Sequence, residues 1–241
     1  MNKLALYTGV DLLFEKNFFI HQPTIAEISS MFTEPEFIKV LQFCTRKPQE
    51  GMQLNNLLLF YILLHKGENV TDEDRNNVAL FLNFLFGNCE IKFLEQGIMI
   101  AKDAQKDFLI LDNNLFIKLQ DYIKEIFCIH KLFSEQTPQE EFNPIDAKAA
   151  AIAEALNKGR KKVAEAKLNN AAINNKSIFG SYLEILSVGL NLSIKELSNY
   201  TLFQLFGVLD RFTKKQSFDI DLECRLAGAK GDKPLEQWMS I

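Results

Sequence analysis

Hydrophobic and polar positions repeat at helical spacing along most of the chain. Apolar residues recur every three or four positions over residues 24–87 and 113–133. A Thr or Ser followed three positions later by an acidic residue stands before several of these repeats. Such capping boxes mark helix starts, because the two side chains satisfy backbone N–H groups that the helix leaves unpaired. Residues 54–64 are apolar on nearly every side, which predicts a central buried helix.

Shorter apolar runs typical of strands interrupt this helical pattern. Residues 4–7, 12–14 and 18–20 are apolar runs separated by Gly9 and by Lys16-Asn17, which predicts one or two small hairpins. Residues 89–111 hold three further runs, which predict a hairpin followed by a third strand. Around residues 218–222 apolar and acidic positions alternate, and that pattern fits either a strand or a helix. The predicted fold class is mainly α (α+β).

Composition divides the chain into three parts. Residues 1–133 are predicted to form an α-rich N-terminal domain with small hairpins. Residues 134–176 begin with a polar stretch that contains two prolines, continue with a run rich in Ala, Lys and Glu, and end in an Asn-rich break. This run favours a helix but has too few large side chains to build a core, which predicts a linker that carries an exposed helix. Residues 177–241 are predicted to form a small helical C-terminal domain, near the lower size limit for independent stability.

The composition narrows the class of protein. The chain contains 21 phenylalanines, whose rings must be buried against one another or against a partner. The net charge of −4 gives no whole-chain argument for binding nucleic acid or an anionic membrane. The most hydrophobic run, residues 57–64, is too short to span a bilayer, and no secretory leader pattern is present. We therefore expect a cytoplasmic protein whose four widely spaced cysteines are reduced buried thiols.

No motif in the sequence predicts catalysis, a cofactor or a metal site. No Gly-x-Ser-x-Gly elbow occurs, and no cysteine has an activating context. A non-enzyme is therefore predicted, with an active site assembled from scattered residues as the alternative. Residues 228–231 predict a turn, because the full phosphate-loop pattern is missing. The isolated histidines and the acidic residues near the C terminus are predicted to be structural or solvated side chains; these are His21, His65, His130, Asp219, Asp221 and Glu223.

A basic cluster lies on the predicted exposed helix. It could contact nucleic acid, which would make the protein a nucleic-acid-binding regulator. Glu154 and Glu165 dilute its charge, and no aromatic residues are interleaved for base stacking. A solvated helix is therefore the preferred interpretation, with a partner or phosphate contact as the alternative. The cluster consists of Lys158, Arg160, Lys161 and Lys162.

Two parts of the sequence resemble one known family. The segment 19–28 reads Phe-Ile-His-Gln-Pro-Thr-Ile-Ala-Glu-Ile, and several short runs follow one another in the C-terminal segment. Together they resemble the start and the C-terminal part of the tail assembly chaperones of long-tailed bacteriophages and prophages. The resemblance extends over about half of the chain. The C-terminal runs are residues 183–190, 202–205, 209–212, 219–221, 225–230 and 238–239.

The resemblance implies a non-catalytic function in phage tail assembly. Such chaperones bind the long helical tape-measure protein and keep it soluble while tail-tube subunits polymerise around it. Many are made in a short form and a longer form, and the three-part layout here is similar to the longer form. The implied partners are the tape-measure protein and the tail-tube protein, in the host cytoplasm. A client that exposes amphipathic helices would otherwise aggregate, and apolar grooves suit such helices.

The candidate contact residues are aromatic side chains of the C-terminal part: Tyr200, Phe203 and Trp238. Trp238 could instead close the small domain as an anchor, and we prefer that interpretation. One alternative function is a virion structural protein, such as a tail or connector component, that forms homo-oligomers. A second alternative is the nucleic-acid-binding regulator described above.

Overall fold

The computed structural model describes residues 1–49, 51, 53–67, 70–94, 97–103, 107–133 and 177–227. Within these residues the fold is mainly α with two small antiparallel sheets, which confirms the predicted class. The helices are α1 (Lys3–Thr8), α2 (Ile25–Met31), α3 (Glu34–Thr45), α4 (Asn56–Lys66), α5 (Asp72–Leu85), α6 (Asn113–Ile126), α7 (Ile129–Phe133), α8 (Ile178–Leu190), α9 (Ile194–Ser198) and α10 (Leu202–Leu226). The strands are β1 (Leu12–Glu15), β2 (Phe18–Ile20), β3 (Glu90–Leu94), β4 (Gly97–Asp103) and β5 (Asp107–Leu111).

The strands form two separate sheets. β1 and β2 make an antiparallel hairpin, and β3, β4 and β5 make a three-stranded antiparallel sheet in sequence order. The second sheet confirms the hairpin and third strand predicted for residues 89–111. Ile98 pairs with Leu111 and Ile100 pairs with Leu109. All four of these side chains are buried, so one face of the sheet covers the core.

Capping residues place the helix starts where the sequence indicated. In α2 the Thr24 N–H donates to the Glu27 carboxylate (2.8 Å), and the Glu27 N–H donates to the Thr24 hydroxyl (3.2 Å). Thr71 caps α5 and Ser193 caps α9 in the same way. Each of these hydrogen bonds joins residues three positions apart, so it needs no contact with a distant part of the chain.

The strand prediction for residues 4–7 is wrong, because they form α1. The Asn2 side chain accepts a hydrogen bond from the Leu4 N–H (3.1 Å), and Gly9 ends the helix in the left-handed region at φ 70°. Ala5 and Leu6 turn inward and are buried. A run of four apolar residues is too short for its spacing to separate a strand from one helical turn.

Two further helices differ from their predicted form. The helix expected to run from residue 113 to 133 is broken after Ile126, because Cys128 takes a left-handed conformation at φ 48° and α7 starts anew at Ile129. The helix α4 is buried on one side only, with Leu58 exposed to solvent. The expectation of a fully buried helix is therefore corrected to one that covers the core with Leu57, Phe60 and Leu64.

The undecided segment at residues 218–222 is helical. It belongs to α10, and Lys215 pairs with Asp219 (2.7 Å) while Arg225 pairs with Asp221 (2.9 Å). Both pairs are four residues apart, a spacing that brings side chains together only on a helix. The alternation of apolar and acidic residues there does not reflect a strand.

A cluster of phenylalanine rings lies at the centre of the core. The Phe37 ring of α3 lies 5.5 Å from Phe127, 6.1 Å from Phe81 and 6.2 Å from Phe179, measured between ring centroids. Phe81 and Phe127 come from the N-terminal part of the chain, and Phe179 comes from α8. The described N-terminal and C-terminal residues thus contribute to one hydrophobic cluster.

The start of α8 is held against α3. The Ile178 N–H donates to the Glu34 carboxylate (2.7 Å), and the Ser177 hydroxyl donates to the same group. A carboxylate at this position also opposes the positive end of the α8 dipole. Residues 177–227 therefore pack on the N-terminal part of the same chain. The predicted linker, residues 134–176, and residues 228–241 lie outside the described residues.

Candidate partner-binding surface

The segment 19–28 and the C-terminal segment meet at two helix starts. The Ile25 N–H donates to the Tyr200 carbonyl oxygen (3.0 Å), and Thr24 forms an antiparallel bridge with Thr201. Both threonines are N-cap residues with extended backbones, at φ −74° and ψ 161° for Thr24 and φ −71° and ψ 162° for Thr201. Because an N-cap residue is not yet helical, it can pair as a strand does.

Hydrogen bonds from two glutamine side chains hold the short helix α1 beside this junction. The Gln22 side chain is 1% exposed, and its amide donates to the carbonyl oxygens of Ala5 (2.8 Å) and Val10. The Gln204 amide of α10 donates to the Tyr7 carbonyl oxygen (2.7 Å). The three carbonyl groups lie in α1 and in the two residues after it. The helix is thus held in place by residues from both segments.

An exposed apolar surface lies where α1 crosses the start of α10. Leu4 is 69% exposed and Tyr7 is 61% exposed. The Tyr7 ring meets the Phe203 ring edge-on at 5.1 Å between centroids, and Gly207 leaves room beside Tyr7. We call Leu4, Tyr7, Phe203 and Gly207 the α1/α10 surface. Large apolar side chains held side by side in solvent are typical of a binding surface.

Among the described residues that were predicted to contact a partner, one lies on the α1/α10 surface. Phe203 belongs to it, half-buried beneath Tyr7. Tyr200 is also half-buried, and its carbonyl group makes the junction described above. The remaining predicted contact residues lie outside the described part of the chain: Trp238, Lys158, Arg160, Lys161 and Lys162.

Leu4 and Tyr7 were missed because their segment was expected to be a strand. On a helix, residues three apart lie on the same face, whereas on a strand they point to opposite sides. The spacing of Leu4 and Tyr7 around the buried pair Ala5 and Leu6 is the signal that would have found them. This spacing indicates a helix once Asn2 and Gly9 are recognised as the residues that cap its two ends.

Exposed apolar side chains also lie on other faces of the described residues, including Leu13 and Phe19 of the β1–β2 hairpin. On α8, the outward side carries Ile178, Ile185 and Val188, and Val188 is 87% exposed. The outer face of the β3–β4–β5 sheet carries Leu94, Met99, Phe108 and Ile110, with Phe108 at 56% exposure. Antiparallel sheets usually place polar residues on their outward face. These faces are therefore secondary candidates for contacts with other chains.

A cavity of about 460 Å³ is lined in part by the polar residues Asp11, His21 and Lys102. The Nδ1 atom of His21 lies 2.9 Å from an Asp11 oxygen, and its Nε2 atom lies 3.5 Å from a Glu27 oxygen. Burial would raise the pKa of Glu27, but hydrogen bonds from Thr24 and the proximity of His21 outweigh this and hold it below its usual value. The residues that line the cavity are Asp11, Phe19, His21, Phe86, Gly87 and Lys102. None of these is a Ser, Thr or Cys that could act as a nucleophile beside His21.

The other candidate chemical groups are separated in the fold. His65 stacks against Tyr61, and Asp219 and Asp221 are engaged in the ion pairs within α10. Among the residues that the structure describes, no three His, Cys, Asp or Glu side chains form a group that could hold a metal ion. His130, in α7, belongs to no such group.

The four cysteines are free thiols, and three are buried. Burial raises the pKa of Cys44 to about 12 and that of Cys128 to about 11, and it also raises the pKa of Cys89. A thiol with a raised pKa is poorly nucleophilic at neutral pH. Cys224 differs from the expectation, because it lies exposed on α10.

No family model, curated protein or solved structure matches the chain. Within the described residues, no helix is both long enough and apolar enough to cross a membrane.

Proposed function

We propose that this protein is a tail assembly chaperone of a long-tailed phage or prophage. It binds the helical tape-measure protein in the host cytoplasm and performs no catalysis. One observation carries the proposal. The two sequence regions that resemble this family, 19–28 and the described part of 177–241, are joined by the hydrogen bond from Ile25 to Tyr200. The α1/α10 surface lies directly beside that junction.

The chemistry of the α1/α10 surface suits a helical client. An amphipathic helix presents apolar residues at positions i, i+3, i+4 and i+7, and these need large apolar side chains opposite them. Tyr7 and Leu4 supply such side chains, and the Phe203 ring supports Tyr7 from below. Aromatic residues are frequent anchors of binding energy, because a ring buries a large area with few rotatable bonds.

Co-expression with the tape-measure protein of the same phage tests the proposal. The wild-type protein should raise the fraction of tape-measure protein that remains soluble. The variants Leu4→Ser and Tyr7→Ser should lower that fraction, because both side chains are exposed and their replacement removes contact area without opening the core. Phe108→Ser on the sheet face is the matched control and should behave like wild type.

Two results would contradict the proposal. One is a client that stays insoluble beside the wild-type protein at equal expression. The other is a Phe108→Ser variant that fails as fully as Tyr7→Ser, since the α1/α10 surface would then have no special part. Recovery of the tail-tube protein with the client would extend the proposal to the second expected partner.

A virion structural protein is the second candidate, favoured by the three-stranded sheet. Its outer face combines exposed apolar side chains on β5 with the ion pair of Glu90 and Lys92 on β3. Within the described residues, β3 and β5 are the edge strands of this sheet. Edges of this kind invite pairing with another chain. Mass spectrometry of purified particles separates the two functions, because a structural protein is present in fixed stoichiometry and a chaperone is not. Light scattering of Phe108→Ser should then also show loss of the oligomer.

A further inference from the structure

The second half of α10 extends beyond the hydrophobic core. On this helix the core cluster ends at Phe212, and among the described residues of α10 no side chain after Phe206 is buried. The two ion pairs within this half each join residues four positions apart, which supports the helical form. Residues 213–226 therefore form a helical segment that lies outside the core cluster.

This half of α10 has an apolar side of its own. Phe218, Leu222 and Leu226 follow the spacing i, i+4 and i+8, which places them along one side of the helix. None of the three belongs to the core cluster. Phe218 and Leu222 are half-buried, and Leu226 is 79% exposed. We call these three residues the distal α10 face. Removing such a face from water is favourable in proportion to the area that is covered.

The sequence that follows α10 contains the signals of a turn and of a short helix. Residues 228–231 include two glycines and predict a turn. Asp232 is a typical N-cap residue, and Pro234 suits the first turn of a helix. Three apolar residues then follow at the spacing i, i+3 and i+4, which would place them on one side of that helix. They are Leu235, Trp238 and Met239.

The lengths of the distal α10 face and of this segment agree. From Phe218 to Leu226 the face is about 12 Å long, and residues 234–241 as a helix would have about the same length. Residues 228–233 suit the short connection between two antiparallel helices, which would place Trp238 opposite Leu222. Because the segment is tethered to the end of α10, its effective concentration at the face exceeds that of a separate chain.

We infer that residues 228–241 fold back and cover the distal α10 face, with the Trp238 ring against Leu222. The inference does not depend on the proposed function. It assigns Trp238 to a contact within the chain instead of a contact with a client, and it leaves the α1/α10 surface as the apolar part of α10 that is open to a client. A tryptophan ring buries a large apolar area, so one such contact can hold a short segment.

Fluorescence of the full-length protein tests this inference, because Trp238 is the only tryptophan in the sequence. Its emission in the folded protein should lie at shorter wavelength than in urea, and acrylamide should quench it weakly. Leu222→Ser should shift the emission to longer wavelength and raise the quenching constant several-fold. Ile220→Ser is the matched control and should change neither quantity, because Ile220 is 62% exposed and lies on the opposite side of α10.

Hydrogen exchange gives a second readout that leaves the distal α10 face unaltered. Trp238→Ser should accelerate exchange in residues 213–226 several-fold and leave exchange in α3 unchanged. This comparison decides the question even if Leu222→Ser weakens α10 itself. Gln237→Ser is the control, because position 237 lies outside the apolar spacing of the segment, and it should leave exchange in residues 213–226 unchanged.

Four results would overturn the inference. The first is wild-type emission that matches the emission in urea, and the second is an equal effect of Leu222→Ser and Ile220→Ser. The third is an emission shift that appears only as protein concentration rises, since a second copy of the chain would then cover the distal α10 face. The fourth is an emission shift that appears only when the tape-measure protein is co-purified, since the client would then bind there.

Discussion

Glu27 stabilises the start of α2 through its hydrogen bonds and through its negative charge. Its carboxylate accepts hydrogen bonds from the N–H and the hydroxyl of Thr24, both at 2.8 Å, and it faces His21. These contacts lower its pKa from the ordinary 4.5 despite the opposing effect of burial. A carboxyl group whose pKa is lowered by folding contributes stability above its unfolded pKa, and that contribution disappears as the pH falls through the folded pKa.

The variant Glu27→Gln should therefore be less stable than wild type at neutral pH. The difference in unfolding free energy between the two proteins should shrink as the pH falls below 4.5. Urea denaturation between about pH 7 and pH 3 measures it. Glu184→Gln serves as the control, because the exposed Glu184 makes no comparable contact among the described residues. A difference that stays constant across this range would show that the charge of Glu27 is irrelevant.

Gln22 is the residue on which the position of α1 depends. Replacing it with Leu removes the hydrogen bonds that its amide donates to the carbonyl groups of Ala5 and Val10, and only Ala5 keeps a second donor, the Thr8 hydroxyl at 3.3 Å. The loss should cost about 1–3 kcal/mol of unfolding free energy. Hydrogen exchange in α1 should accelerate more than exchange elsewhere. Gln42→Leu on the exposed side of α3 should change neither quantity. Unchanged protection of α1 in the Gln22→Leu variant would refute the role given to Gln22.

At the scale of elements, α8 and α10 approach closely at one glycine. A Cβ atom at Gly189 would overlap the Phe212 ring, whereas a Cβ atom at Gly207 would lie 3.9 Å from the Tyr7 ring. Both positions are helical, and the intrinsic advantage of alanine over glycine is no larger at Gly189, one residue before the end of α8, than at Gly207 inside α10. The two glycines therefore separate the effect of packing from the effect of helix propensity.

Gly189→Ala should destabilise the protein by about 1–3 kcal/mol, because the added methyl group forces the Phe212 ring out of place. Gly207→Ala should leave stability unchanged or raise it by up to about 1 kcal/mol. Thermal and urea unfolding measure both. Adding Phe212→Leu to Gly189→Ala should recover part of the loss. Equal effects of the two alanines would mean that α8 and α10 are not packed closely here.

For the molecule as a whole, the Phe37 cluster predicts that the described parts unfold together. Phe179 of α8 is buried against Phe37, so Phe179→Ala removes a ring that both parts share. Unfolding free energy should fall by about 3–5 kcal/mol. Hydrogen exchange should show lower protection in α3 and α5 as well as in α8. Phe108→Ala, at an exposed ring, should change stability by less than about 0.5 kcal/mol.

Two unfolding transitions in the wild-type protein would contradict this prediction. They would instead support the separate C-terminal domain expected from the composition break at residues 134–176. Coincident loss of signal from probes placed in α5 and α10 would show a single cooperative unit.

The sequence by itself determined the features that depend on neighbours in the chain. The cap residues Thr24, Thr71 and Ser193 set helix starts, because their hydrogen bonds reach only three residues ahead. The strands at residues 89–111 were readable because short apolar runs follow one another with only a few polar residues between them. The mainly α class follows from these local signals added together.

Only the tertiary structure decided which distant residues share a surface. Leu4 and Tyr7 lie almost 200 positions before Phe203, and no periodicity connects them. The conformation of residues 4–7 was itself ambiguous, and burial of Ala5 and Leu6 together with the hydrogen bonds from Gln22 and Gln204 selected the helix. The physical reason is that local bonds choose an element, whereas burial and long-range hydrogen bonds choose its orientation and its neighbours.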